Sequence, residues 1–347
     1  MSKIFREFVK KIGSGPHTGD NLTRSEAAEA TKMILLKEAT PVQIGAFMIA
    51  HRIKRPTGEE LAGMLDTYET LGPKLQPCSD HRSFVVVFGV PYDGRDRIFP
   101  ISHITALILI SMGQPVIMHG GDIMPTKYGV SLMKIWQDLG VNFANLSLAE
   151  IQKFFEKTGL GFIYLPQHFP EAAAMVEYRE DIGKRPPFAT MELIWNPFNG
   201  DAHIMSGFVH PPTENMFKDA FQLRGYPKYF TTIKGLEGSI DLPRDRTAII
   251  GLFDQQGNFE RLLLSHNDYH ISSKNPPLEN KENIATQIKS VLDGEESELF
   301  TSAIWNGGFY LWRCGFCEDI KSGIMLAETL LKEGKVKQKL AELINNL

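Results

Sequence analysis

The chain has 347 residues, of which 43% are hydrophobic and 22% charged, with a formal net charge of −4. That length exceeds one ordinary core and sets an expectation of about two domains. The acidic total excludes whole-molecule attraction for nucleic acid, so such binding would need a local basic patch, and three cysteines are too few for a disulfide framework. No apolar run reaches the roughly 18 residues of a membrane-spanning helix, and the start MSKIFREFVKKIGSG has no apolar signal core, so a cytoplasmic protein is expected.

Residues 1–72 read as helical throughout. Thr23, Thr40 and Thr57 are each followed three positions later by Glu26, Gln43 and Glu60, the spacing of a capping box, and Pro41 stands at a first helical position. Apolar stripes that include Ile34, Ile44, Phe47, Met48, Leu61 and Leu65 require these short helices to pack on one another. Their outer faces suit a helix-mediated homodimer, and a bundle docked on its own chain explains the same faces. We expect a small helical domain over 1–76, completed by part of 166–195, and an α/β domain over 77–347. The segment GPKLQPCSDHR is the hinge between them.

Ser83 to Gly140 reads as strand, helix, strand, helix. The run Val85-Val86-Val87 does not alternate, as expected of a parallel strand buried on both faces. Leu132, Ile135, Trp136 and Leu139 recur at helical spacing before Gly140. Right-handed crossovers bring the carboxyl ends of such strands to one edge, where a ligand would sit. Ser147 and Glu150 form a fourth capping box, and GFIYLP is a third buried strand. Residues 166–200, with REDIGKRPP at their centre, make an excursion away from the sheet. AHIMSGFVH, KYFTTIKG, TAIIGLFD and ERLLLSH are further strands, with DQQG turning the last two into a hairpin. Residues 266–283 read as loop. A helical tail runs from Lys281 to Leu347, with expected breaks at Gly294 and at Asn306-Gly307-Gly308. The fold class is α/β, a mostly parallel central sheet flanked by helices, plus a small all-α N-terminal domain.

Several stretches, in order along most of the chain, carry a resemblance: LTRSEAAEATKMILLKEATPVQIGAFMIAHRIK, MHGGDIMPTKYGVSLMKIWQDLGVN, GLGFIYLP, the Asn-Pro-Phe at Asn196, and NGGFYLW. Together they resemble the anthranilate phosphoribosyltransferase family, whose fold is shared with pyrimidine nucleoside phosphorylases. The resemblance implies a phosphoribosyl pyrophosphate loop after the first strand, where close backbone approach favours glycine. Here that loop is GVPYDGRDRIFP. Asp93 and Gly94 remain recognisable, Pro91 and Tyr92 depart from the pattern, and Arg95 and Arg97 are additions open to two readings, a bidentate phosphate grip or a solvated charged turn. In the second loop His119, Gly120, Thr126, Lys127 and Gly129 match, while Gly121, Pro125 and Tyr128 do not. Lys127 is the single best phosphate-binding candidate, with a surface lysine of no role as the other reading.

The family's adjacent Asp-Glu pair for magnesium falls on GLEGSIDLP. Only Asp241 occupies it, beside Ile240, with Glu237 elsewhere in the loop, so a magnesium site of the family's kind is in doubt because a hard dication is best served by two carboxylates. The family's anthranilate-facing arginine corresponds to Arg179 if an insertion is set in its favour, and otherwise Glu177 or Tyr178 falls there; Glu192 and Leu193 replace a Gly-Pro pair.

With these departures gathered at the ligand edge, the chain resembles a divergent branch of the family that keeps the dimeric fold, lacks the anthranilate reaction and, in bacterial examples, binds nucleic acid; KGLEGSIDLPRD resembles that branch most. Three hypotheses follow. The first is a binder of a phosphate-bearing ligand, a nucleotide or single-stranded nucleic acid, with the parent reaction lost or altered. Its nucleic-acid form would use Lys54, Arg55, Arg95, Arg97, Arg179, Lys184 and Arg185. The second is an active phosphoribosyltransferase acting on anthranilate or another aromatic amine by displacement of pyrophosphate. The third is an interaction protein without catalysis. Cys314 and Cys317 read as small packing residues in preference to a redox pair, and Trp305, Phe309, Tyr310 and Trp312 as core in preference to a base-stacking platform.

Overall fold

The computed structural model describes residues 3–15, 18–78, 84–91 and 95–347. Four helices come first: α1 (Lys3–Gly13), α2 (Arg24–Leu35), α3 (Pro41–Lys54) and α4 (Gly58–Leu71). All three threonine boxes close in both directions, Thr23 with Glu26, Thr40 with Gln43 and Thr57 with Glu60. Each satisfies two of the amide donors a helix start leaves orphaned, worth about 1 kcal/mol per cap. Helix α2 packs on α4, and α1 on α3. Glu60 does more than cap. It is fully buried and its Oε2 lies 2.8 Å from Lys54 Nζ and 3.3 Å from His51 Nε2, while Oε1 accepts from the Leu22 amide at 2.9 Å. Burial alone would raise its pKa; the bonds from His51, Lys54 and the Leu22 amide win and hold it down at about 2.

The α/β part is one seven-stranded sheet in the order β3-β2-β1-β4-β5-β6-β7. Strands β1 (Val85–Gly89), β2 (Val116–Gly120), β3 (Leu160–Tyr164), β4 (Ala202–Gly207) and β5 (Tyr229–Ile233) pair in parallel; β6 (Ala248–Asp254) and β7 (Phe259–Leu264) add an antiparallel edge. All seven strands lie where the apolar runs predict them, and the hairpin turn closes with Gly257 N donating to Asp254 O at 3.0 Å.

The strand connections hold helices α5 (Ser102–Ser111), α6 (Leu132–Leu139) and α7 (Leu148–Thr158). Helix α5 is apolar all round because it is covered on both sides, by the sheet and by the C-terminal helices. The excursion after β3 resolves into short helices α8 (Leu165–His168), α9 (Pro170–Ala173), α10 (Met175–Asp181) and α11 (Phe188–Met191), of which α10 packs on α3 and α11 on α4. Helix α12 (Pro211–Arg224) follows β4 and lies against α4.

The C-terminal helices are α13 (Ile284–Leu292), α14 (Glu298–Arg313), α15 (Ile320–Lys332) and α16 (Lys335–Asn345). Gly294 ends α13 as expected, at φ 79°, but the break expected at Asn306-Gly307-Gly308 is absent. Helix α14 runs straight through it. Packing explains this correction: a side chain at Gly308 would fall 2.6 Å from the Ile324 backbone of α15, so the glycines admit a close helix crossing instead of ending a helix. The real stop is CGFCED, where Cys314 is buried and Cys317 half-buried, both as free thiols. Trp305, Phe309 and Tyr310 are buried in the core. Among the described residues no helix is long and apolar enough to cross a membrane.

Candidate functional site

The sheet order reverses between β1 and β4, and the crevice at such a reversal is where open α/β sheets bind ligands. A cavity of about 390 Å³ opens there. Its walls come from the loops after β1 (Val90, Pro91), β2 (Met124, Lys127), β4 (Phe208, Val209) and β5 (Glu237, Gly238, Ser239), roofed by Arg52 of α3 and by Arg185 and Thr190 from the excursion. A second recess of about 380 Å³, edged by Arg97, Lys234 and Arg246, shares Val209, Glu237 and Gly238 with the first. The loops can crowd together because β1, β2 and β4 all end in glycine. A side chain at Gly120 would meet Pro91 O at 2.0 Å, and one at Gly207 would meet Gly238 O at 2.2 Å.

Arg52, Lys127 and Arg185 bring three cationic side chains to this cavity, and among its described lining residues Glu237 is the acid. Arg52 donates from Nη1 to Arg185 O. The Arg185 pKa is lowered, first by desolvation in the cleft and then by the charges of Arg52 and Arg179, although its side chain still reaches solvent. An arginine so placed stays protonated, and an anion would relieve the repulsion. Lys127 donates from Nζ to Glu237 O at 3.1 Å. It is flanked by Thr126 at φ 75° and Tyr128 at φ 51°. Left-handed backbone is costly for a β-branched residue, about 1–3 kcal/mol where nothing compensates. Tyr128 is held by hydrogen bonds to both Glu180 oxygens, at 2.9 and 3.1 Å.

Other residues singled out from sequence are turned to internal use. Arg95 is fully buried: its Nη2 donates to Asp241 Oδ2 at 2.5 Å and to Ser239 Oγ. Asp241 is buried in turn and also accepts from the Ile101 amide at 2.9 Å. Glu237 accepts from the amides of Arg97 at 3.3 Å and Ile98 at 2.9 Å. Both acids therefore tie the loop after β5 to the loop after β1.

His119 is fully buried with its ring edge-on to Trp195 at 5.0 Å, and burial holds its pKa at about 3. A neutral imidazole there supplies no charge to a phosphate. Arg179 is buried, with Nη2 on Glu192 Oε1 at 2.8 Å, the oxygen that also accepts from Tyr68 OH at 3.0 Å. Lys54 is engaged by Glu60 at 2.8 Å. Arg97, Lys184 and Arg55 are exposed, and Thr126 is exposed beside Lys127. Asp93 and Gly94 lie outside the described residues.

Two features escaped sequence reasoning. Arg52 stands in the same basic run as Lys54 and Arg55, and only the tertiary engagement of Lys54 by Glu60 separates them. Trp305 and Tyr310, read as core, and Asn306, read as part of a helix break, also secure the loop that carries Asp241. Trp305 Nε1 donates to Pro243 O at 3.3 Å, Asn306 Oδ1 accepts from the Leu242 amide at 2.8 Å and Tyr310 OH donates to Ile240 O at 2.5 Å.

Residues 6–70 match the helical bundle domain of the glycosyl transferase family and residues 93–337 its a/b domain. With that span matched, the chain belongs to this glycosyl transferase family. Within it the resemblance is to anthranilate phosphoribosyltransferases. The enzyme of that name from Acetivibrio thermocellus is 29% identical over 339 residues, covering 97% of this chain and 96% of the relative. An uncharacterized protein from Aquifex aeolicus is 26% identical, covering 92% of this chain and 97% of its own. Among solved structures, anthranilate phosphoribosyltransferase from Thermus thermophilus superposes with a TM-score of 0.78 at 20% identity, covering 98% of both chains. The enzyme from Saccharomyces cerevisiae in complex with phosphoribosyl pyrophosphate and magnesium gives 0.84 at 14% identity, covering 100% of this chain and 98% of the other. At these identities the structural likeness establishes the fold.

Proposed function

We propose that the protein binds a phosphate-bearing ligand, a nucleotide or single-stranded nucleic acid, in the cleft between the helical bundle and the carboxyl edge of the sheet, with the anthranilate reaction lost or altered. The observation that carries this reading is the convergence of Arg52, Lys127 and Arg185 on one cavity, where their charges act together on an anion. Arg95 and Asp241, bonded to each other, and Glu237, bonded to the loop backbone, are spent within the protein, which supports a change from the family's pyrophosphate chemistry. Exposed Ile4, Val42 and Ile53, at 62, 82 and 76%, support a homodimer through the helical bundle.

A second reading, an active phosphoribosyltransferase for anthranilate or another aromatic amine, is favoured by the near full-length likeness to the Acetivibrio enzyme. The test is a titration with phosphoribosyl pyrophosphate and with a single-stranded oligonucleotide at two salt concentrations, beside an assay of anthranilate consumption. Binding that weakens with salt, without turnover, is the expected result; turnover would install the second reading.

A further inference from the structure

The yeast enzyme was crystallised with magnesium, an ion that demands near-octahedral oxygen ligands and keeps several waters. A carboxylate serving it must face an open space. The two acids of the loop after β5 are committed to the protein: Asp241 is fully buried on Arg95 and the Ile101 amide, and Glu237, though it lines the cavity, accepts from the amides of Arg97 and Ile98. Among the described residues no group of three or more His, Cys, Asp or Glu side chains is placed to hold a metal. The described residues do not fit the ion.

We propose that the Arg95 guanidinium takes the place of a divalent cation at Asp241, so that the cleft holds its phosphate-type anion with no metal. A guanidinium is permanently charged and presents N–H donors in a planar fork that suits a carboxylate. Ser239, which lines the cavity, is bonded to the same guanidinium and passes its amide partner on: Asp241 N donates to Ser239 Oγ at 3.0 Å. The positive charge an anion requires comes from Arg52, Lys127 and Arg185 directly.

This inference rests on the anion-binding reading, and two probes separate them. Manganese binding to the protein alone is followed by electron paramagnetic resonance, and inorganic phosphate binding by calorimetry in magnesium and in EDTA. The wild type is expected to bind no manganese in the millimolar range and to hold phosphate equally, within about twofold, in both buffers. Arg95→Gln, with folding checked by circular dichroism, is expected to gain manganese binding as Asp241 is released. If that variant does not fold, Arg95→Lys replaces it and, still cationic, should bind none. Manganese on the wild type or on Arg95→Lys, its absence from a folded Arg95→Gln, or phosphate affinity raised about tenfold or more by magnesium would overturn the inference. No phosphate binding in either buffer would sink the anion-binding reading alone and leave the manganese measurement to decide the role of Arg95.

Discussion

The helix caps of the bundle and the carboxyl edge of the sheet use polar side chains in opposite ways. In the bundle, Thr23, Thr40 and Thr57 close hydrogen bonds to residues three positions away. At the edge, Arg95 reaches Asp241 across 146 positions, Ile101 reaches it across 140, and Asn306 and Tyr310 reach back 64 and 70 positions to the loop that carries it. The Thr40 cap can be lost without disturbing its neighbours; the edge behaves as one coupled unit. The lesson is that the departures from the family pattern at this edge are connected. Arg95 in the first loop and Asp241 in the fifth-strand loop make sense only together.

The sharpest way to break the comparison is to remove one partner of the buried pair. Arg95→Ala or Asp241→Ala leaves an uncompensated buried charge and should cost about 3–5 kcal/mol in urea unfolding, while the double variant should cost clearly less than the sum of the two. Additive losses would mean that the edge is not coupled.

Next in size is a dependence on acid. The unfolded chain protonates His119 near 6.5, whereas burial holds the folded ring neutral down to about 3. The unfolded state therefore binds more protons in that window, and stability falls as pH drops through it, by up to about 1.4 kcal/mol per pH unit. Glu60, held at about 2, adds a loss of the same sign as pH falls below its unfolded value near 4.3. Thermal melts from pH 7 to 4 measure the slope, and His119→Leu should flatten its upper part.

The smallest effect belongs to the caps. Thr40→Ala should cost about 1 kcal/mol by urea unfolding and leave ligand binding in the cleft untouched. A cap substitution that altered the cleft would blur the contrast between the two regions.

The same contrast accounts for what could be read from the sequence. Strands announced themselves by unbroken apolar runs, and helix starts by capping boxes, because both signals are local. The glycines of α14 misled because a close helix crossing and a helix break both call for glycine, and only the position of α15 distinguishes them. In the site, Lys127 and Arg185 were legible as cations in loops, but the inward turn of Arg95 and Arg179 was not. Each is fixed by an acid supplied from elsewhere in the fold, Asp241 and Glu192. Arg52 was missed because nothing in HRIKR tells which cation a neighbouring helix will claim.

The most direct test of the cleft as an anion site is calorimetric titration of phosphoribosyl pyrophosphate into the wild type and Arg185→Ala, whose side chain reaches solvent at the cavity mouth. The wild type should bind with an affinity that falls as salt rises, and Arg185→Ala should lose about tenfold or more, the worth of one charge-assisted hydrogen bond, with its melting temperature unchanged. Equal affinity in the two proteins, or no binding by the wild type, would contradict the assignment.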